Sequence, residues 1–177
     1  MKKVLALCVI LFASVILTGT AQASVKIVWK GKVNSDFITK ADEPTKAIVA
    51  LISSYAGTDC WWENDKPNED YTNLSCQLTT ALGLGLQCSD MHKKLMKKWF
   101  AGNEEILEII DNCYLIPYTA TSQKILDRLK LTIDGNRVTA DFKILLVNVR
   151  EGTSQSLTGH DVFEINGNAI KVIALTK

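Results

Sequence analysis

Residues 125–175 read ILDRLKLTIDGNRVTADFKILLVNVREGTSQSLTGHDVFEINGNAIKVIAL. Apolar and β-branched runs alternate here with turn signals. Asp134-Gly135-Asn136 and Asn166-Gly167-Asn168 are hairpin turns, and Glu151-Gly152-Thr153-Ser154 marks a third. The stretch is therefore a four-stranded antiparallel meander, with Leu129–Ile133 expected opposite Val138–Phe142. In the long second strand Val138, Ala140, Phe142 and Ile144 share one face and Arg137, Thr139, Asp141 and Lys143 the other. From Leu145 to Val149 the apolar residues fall on the opposite parity. Such a switch implies a bulge, strong curvature or burial on both sides, so the sheet is expected to be bent.

A sheet with one apolar face needs a cover, and the upstream chain supplies helices. Pro44 suits a first turn, Asp42 and Glu43 complement the dipole, and Ala47, Ile48, Leu51, Ile52 and Tyr55 recur at helical spacing before Gly57. Gln77–Gln87 is helical in pattern but interrupted by Gly83 and Gly85. Ser89 caps a helix running to Phe100, with Met91, Leu95, Trp99 and Phe100 on one face and Lys93, Lys94, Lys97 and Lys98 on the other. Asn103 caps a shorter one with Ile106, Ile109 and Ile110. Ser24–Val33 reads as a short edge strand guarded by lysines, and Tyr114–Thr121 as extended chain entering the sheet. The expectation is a single α+β domain over residues 24–177: a curved meander of four to five strands, covered by two or three helices and pinned by two disulfides.

The N-terminus sets the compartment. Lys2 and Lys3, the apolar run Val4–Thr18 and the ending Ala21-Gln22-Ala23 have the pattern of a signal peptide over residues 1–23. The apolar run falls short of the ~20 residues that a membrane span requires. A bacterial periplasm or the surrounding medium is the expected destination. Cleavage removes Cys8 and leaves Cys60, Cys76, Cys88 and Cys113, an even set that reads as two disulfides with three pairings open. Cys60–Cys76 with Cys88–Cys113 is the preferred pairing, because the first bridge closes a polar loop. None of the four is spaced as C-x-x-C, so no metal site is expected.

The charge balance argues against a nucleic-acid partner. The whole chain carries 20 basic and 19 acidic side chains, a net +1 that becomes −1 without Lys2 and Lys3. It also favours an ordinary solvated lysine face on Asp90–Phe100 over a membrane-surface helix. Between Thr58 and Ser75 the chain turns acidic and aromatic, and long ordered loops of this kind are often functional. Trp61, Trp62 and Tyr71 are its candidate binding residues.

Two segments carry a family resemblance: Arg137-Val138-Thr139-Ala140-Asp141-Phe142-Lys143-Ile144, and Gly159-His160-Asp161-Val162-Phe163-Glu164-Ile165-Asn166-Gly167-Asn168-Ala169-Ile170-Lys171-Val172-Ile173. With a helix upstream, they resemble the curved sheet and closing hairpin of the nuclear-transport-factor-2-like (SnoaL-like, cystatin-like) cone fold. The likeness covers the C-terminal third; the cysteine-bonded segment from Thr58 to Tyr114 departs from it. Enzymes of that superfamily often pair a histidine with a carboxylate inside the cone, which makes Asp141, His160 and Asp161 the catalytic candidates. In the expected register His160 and Asp161 lie near Ile144, and Asp141 faces Phe163–Glu164. Strand neighbours point to opposite faces, so His160 and Asp161 do not share a pocket unless the strand bulges. The chain has no nucleophile elbow, Walker loop or H-E-x-x-H, and nothing in it calls for a cofactor. The leading expectation is an exported, non-catalytic protein that recognises another protein, of inhibitor or toxin-immunity type. The alternative is a small-ligand carrier or pocket enzyme, taking a small hydrophobic ligand inside the cone.

Overall fold

The structure, a computed structural model, describes residues 25–30, 40–57, 62–63, 66–67, 74–84, 88–113 and 121–176. The signal-peptide reading, Cys60, Trp61, Tyr71 and the extended segment after Cys113 lie outside them. Among the described residues, seven strands and four helices follow in order: β1 (Val25–Lys30), α1 (Glu43–Ser54), β2 (Trp62–Glu63), β3 (Lys66–Pro67), α2 (Leu74–Ala81), α3 (Asp90–Trp99), α4 (Glu104–Asp111), β4 (Ser122–Asp134), β5 (Arg137–Asn148), β6 (Thr153–Asn166) and β7 (Ala169–Ala174). The main sheet is antiparallel in the order β1-β4-β5-β6-β7, and β2 and β3 form a separate two-residue ladder.

The α+β architecture is as expected, with four helices in place of two or three. The turns behave as read: Gly135 and Gly167 take φ of +58° and +59° at the first position of two-residue loops, a conformation that side chains resist. Ile133 pairs with Val138 and Leu129 with Phe142. The parity switch is accommodated on the neighbouring strand. β5 runs against β6 in unbroken register, whereas β4 shifts between Leu126 and Arg128, opposite Ile144 and Lys143. The extra residue, Asp127, lets both Leu126 and Leu129 face inward although they are three apart. A bulge of this kind bends the strand and increases its twist.

The inner face of the sheet carries Leu129, Leu131, Val138, Ala140 and Phe163, all fully buried. α1 lies against this face. The Asp42 carboxylate accepts from Thr45 N–H at 3.0 Å to cap its start. Apart from the half-buried Lys46, the helix is buried from Pro44 to Ser53, because α2 and α3 cover the side turned away from the sheet. The consecutive run Ala47-Ile48-Val49-Ala50-Leu51-Ile52 is its sequence counterpart. Each large side chain in it contributes about 1.5–3 kcal/mol by leaving water.

Two details differ from the sequence reading. α2 begins at Leu74, inside the stretch read as loop, and ends where Gly83 takes φ +68°. The buried stripe of α3 is His92, Met96 and Trp99, while Met91 is 57% exposed and Leu95 half-buried. A histidine scores as polar in a hydropathy pattern, which shifted the expected stripe by one residue. Of the two expected disulfides, Cys88–Cys113 is placed among the described residues, in the preferred pairing; the other expected pair includes Cys60, which lies outside them. The placed bridge ties the entrance of α3 to the exit of α4 with a Cα–Cα distance of 5.6 Å. A bridge of this kind fits an oxidising compartment. No described helix is long and apolar enough to cross a membrane.

Candidate functional site

Beyond the end of α1, the packing between helices and sheet opens into a cleft of about 680 Å³. Tyr55 and Ala56 bring it the helix exit, Ile109 and Cys113 the last turn of α4, and Phe142 and Ile144 its β5 wall. Leu157 and Thr158 of β6 and the C-terminal Leu175 and Thr176 complete it, and Lys124 and Glu105 also line it. Leu157 is 53% exposed although it belongs to the inner face, so the apolar surface here is unfilled.

The chain reaches this geometry by local rules. Tyr55 N–H donates to the Ile52 carbonyl as α1 ends, and Gly57 N–H donates to the Lys124 carbonyl at 2.7 Å, fixing the helix exit to the head of β4. Phe142 sits directly across from Gly159, and its ring lies on the glycine backbone: a Cβ at Gly159 would stand 2.0 Å from Phe142 Cζ. The Tyr55 ring is tilted against that of Phe142 at a centroid distance of 5.5 Å.

A polar pair is buried beside this aromatic wall. The Tyr55 hydroxyl donates to Asp161 Oδ2 at 3.0 Å, and Thr176 N–H donates to Asp161 Oδ1 at 2.7 Å. Asp161 is fully buried. Burial raises its carboxyl above the ordinary range, against the opposing pull of the Thr176 N–H and the Tyr55 hydroxyl. Burial and then the neighbouring Asp161 charge push the Tyr55 phenol far above its usual value. Both carboxylate oxygens are occupied and the tyrosine keeps its proton, so the pair positions the walls of the cleft. Thr176 is held a second time, its Oγ1 accepting from His160 N–H at 2.6 Å. The C-terminal residues thus follow β6 through polar contacts, past the point where the β7 ladder ends.

The other two catalytic candidates stand on the opposite face. Asp141 is paired directly with His160, three residues from the register expected, because β5 and β6 align without a bulge. His160 Nδ1 lies 2.6 Å from Asp141 Oδ1, and Lys130 Nζ donates to Asp141 Oδ2 at 3.0 Å. Partial burial works against the Asp141 charge, but His160 and Lys130 outweigh it and hold the carboxyl low. His160 and Asp161 therefore do face opposite sides, and the trio does not converge on one cavity. Among the described residues no group of histidine, cysteine and carboxylate side chains has a metal-holding arrangement.

Of the expected binding residues, Trp61 and Tyr71 lie outside the described residues and Trp62 contributes its backbone to β2. Sequence reasoning missed Tyr55 as a site residue, having assigned it to the stripe of α1. Its position at the end of that stripe, beside Gly57, was the available signal. The chain matches no family model, no curated protein and no solved structure.

Proposed function

We propose that this chain is an exported, non-catalytic binding protein whose site is the cleft beyond α1, and that it takes a small, mostly apolar ligand. The carrying observation is the cleft itself: about 680 Å³, with an apolar wall of Tyr55, Phe142, Ile144, Leu157 and Leu175, and with Glu105, Asn112 and Lys124 among its polar lining. Such a volume and lining suit small-molecule sites. Among the described residues no histidine lines the cavity, and Asp161 is doubly hydrogen-bonded, which favours binding over acid–base chemistry. Export to a bacterial periplasm or medium agrees with the signal-like N-terminus and the Cys88–Cys113 bridge. The bent sheet with a helix on its inner face is also in keeping with the cone-fold resemblance.

Recognition of another protein is the second reading, and one observation favours it. Among the described residues, Thr153–Asp161 of β6 pair with β5 on one side only, and the side chains from Thr153 to Thr158 are uncharged and exposed. An open strand edge can accept an added strand from a partner.

The test is titration of residues 24–177 with the neutral fluorophore N-phenyl-1-naphthylamine. Saturable binding is expected, with the thermal midpoint rising by several degrees at ~100 times Kd, equivalent to about 2.7 kcal/mol. Leu157→Glu places a charge on the exposed apolar wall and is expected to weaken binding about tenfold or more while the protein stays folded. Absence of saturable binding, or full binding by the Leu157→Glu variant, would sink the proposal.

A further inference from the structure

On the outer face of the sheet, the register writes out two rows of side chains. Arg128, Lys143 and Thr158 stand side by side in one; Lys130, Asp141 and His160 in the next. They surround a second cavity of about 520 Å³. Its electrostatics are unbalanced. Arg128 lies directly opposite Lys143, and like charges across a strand pair repel. Lys143 is offset by Asp127, at 3.5 Å, and Asp141 is already engaged by Lys130 and His160. Arg128 has no carboxylate partner among the described residues. The grouping is one that an anion would relieve.

This cationic cavity adjoins the apolar cleft at the β6 edge. Phe142, Thr158 and Thr176 line both. The two meet at Thr158, which is exposed and lies on the stretch of β6 that pairs with β5 alone; at the next residue, the buried Gly159, the Phe142 ring already fills the inner side. β7 has already ended, so the edge at this point is flanked only by the hydrogen-bonded Thr176 among the described residues.

We propose that the ligand is a single-chain anionic amphiphile. Its hydrocarbon chain lies in the cleft, and its carboxylate or phosphate head reaches around the β6 edge at Thr158 to Arg128, Lys143, Lys130 and His160. A guanidinium beside an ammonium suits either head group through charge-assisted hydrogen bonds. The inference rests on the cleft being a binding site and adds the chemistry of the head.

Decyl phosphate, decanoate and 1-decanol, each kept below its aggregation concentration, are compared as competitors of N-phenyl-1-naphthylamine. Decyl phosphate and decanoate are expected to bind about tenfold or more tightly than 1-decanol. In the Arg128→Gln/Lys143→Gln variant that advantage is expected to shrink to within about twofold, with 1-decanol unchanged. Both substitutions are on the solvent-facing side of the sheet. Equal binding of the three competitors in the unaltered protein would overturn the head-group assignment and leave the cleft standing. Failure of the fluorophore and 1-decanol to bind at all would overturn the cleft with it. Capture of intact anionic vesicles without competition from monomeric decyl phosphate would assign the cations to a membrane surface and also overturn the proposal.

Discussion

His92 shows what a single residue can hide. It occupies the stripe of α3 that packs on α1, is fully buried, and its Nδ1 accepts from Cys88 N–H at 3.3 Å. Burial pushes its pKa down from 6.5 to about 4, with the Ala50 carbonyl pulling weakly the other way. The consequence for stability has a definite sign. Above pH 6.5 the ring is neutral whether the chain is folded or unfolded. As the pH falls from about 6.5 towards 4, the unfolded chain takes up a proton that the folded chain refuses, so stability drops, by about 3 kcal/mol in all. Urea unfolding of the parent and of His92→Gln across this range checks it: the parent is expected to lose much more stability on acidification than the variant. Parallel losses would contradict the assignment. Legibility at this scale was uneven. The turn glycines and the helix caps Ser89 and Asn103 announced themselves, because each has a local conformational or hydrogen-bonding reason, whereas Asp42, read only as complementing the dipole, is the cap of α1. His92 and Tyr55 did not, because what defines them is contact with residues remote in sequence: Ala50 for one, Asp161 for the other.

Among the elements, the meander was the most readable part of the chain, since turn chemistry fixes register in antiparallel hairpins. The one register error, Asp141 against Phe163 in place of His160, arose in the β5–β6 hairpin, whose turn was the least sharply marked. The parity switch in β5 was a true signal of bending, answered by Asp127 of β4, a compensation visible only once strands are paired. α1 was legible as a helix but not as a buried one, because its second cover comes from α2 and α3. The pairing of α3 with α4 depends in part on Cys88–Cys113, whose loop spans a sequence separation of 25 residues. Closing a loop of that size stabilises by about 3 kcal/mol through the unfolded chain. Cys88→Ser/Cys113→Ser is therefore expected to lower unfolding stability by about that amount in urea titration. Because Cys113 also lines the cleft, fluorophore affinity should fall in the same variant. An unchanged denaturation midpoint would rule this role out.

For the whole molecule, the central question is why a well-filled sheet-and-helix core leaves one end open among the described residues. α1 stops at Ser54 while β5 and β6 continue past it to Asn148 and back from Thr153, so the ends of the strands extend beyond their cover. Leu157 and Leu175 face the space that results, and Tyr55, Asp161 and Thr176 fix its rim. None of this follows from periodicity, which says which face is apolar but not whether the opposite surface reaches it. The aromatic loop from Trp61 to Tyr71 lies mostly outside the described residues, and the proposed cleft is instead assembled from segments far apart in the chain. A methyl-resolved NMR titration of residues 24–177 with N-phenyl-1-naphthylamine tests the claim most directly. Saturable shifts are expected at Ile109, Ile144, Leu157 and Leu175, with the closed core at Leu129 and Leu131 unmoved. Saturable shifts confined to other surfaces, such as those around Met91 or Val149, or no saturable shifts at those four residues, would contradict the account.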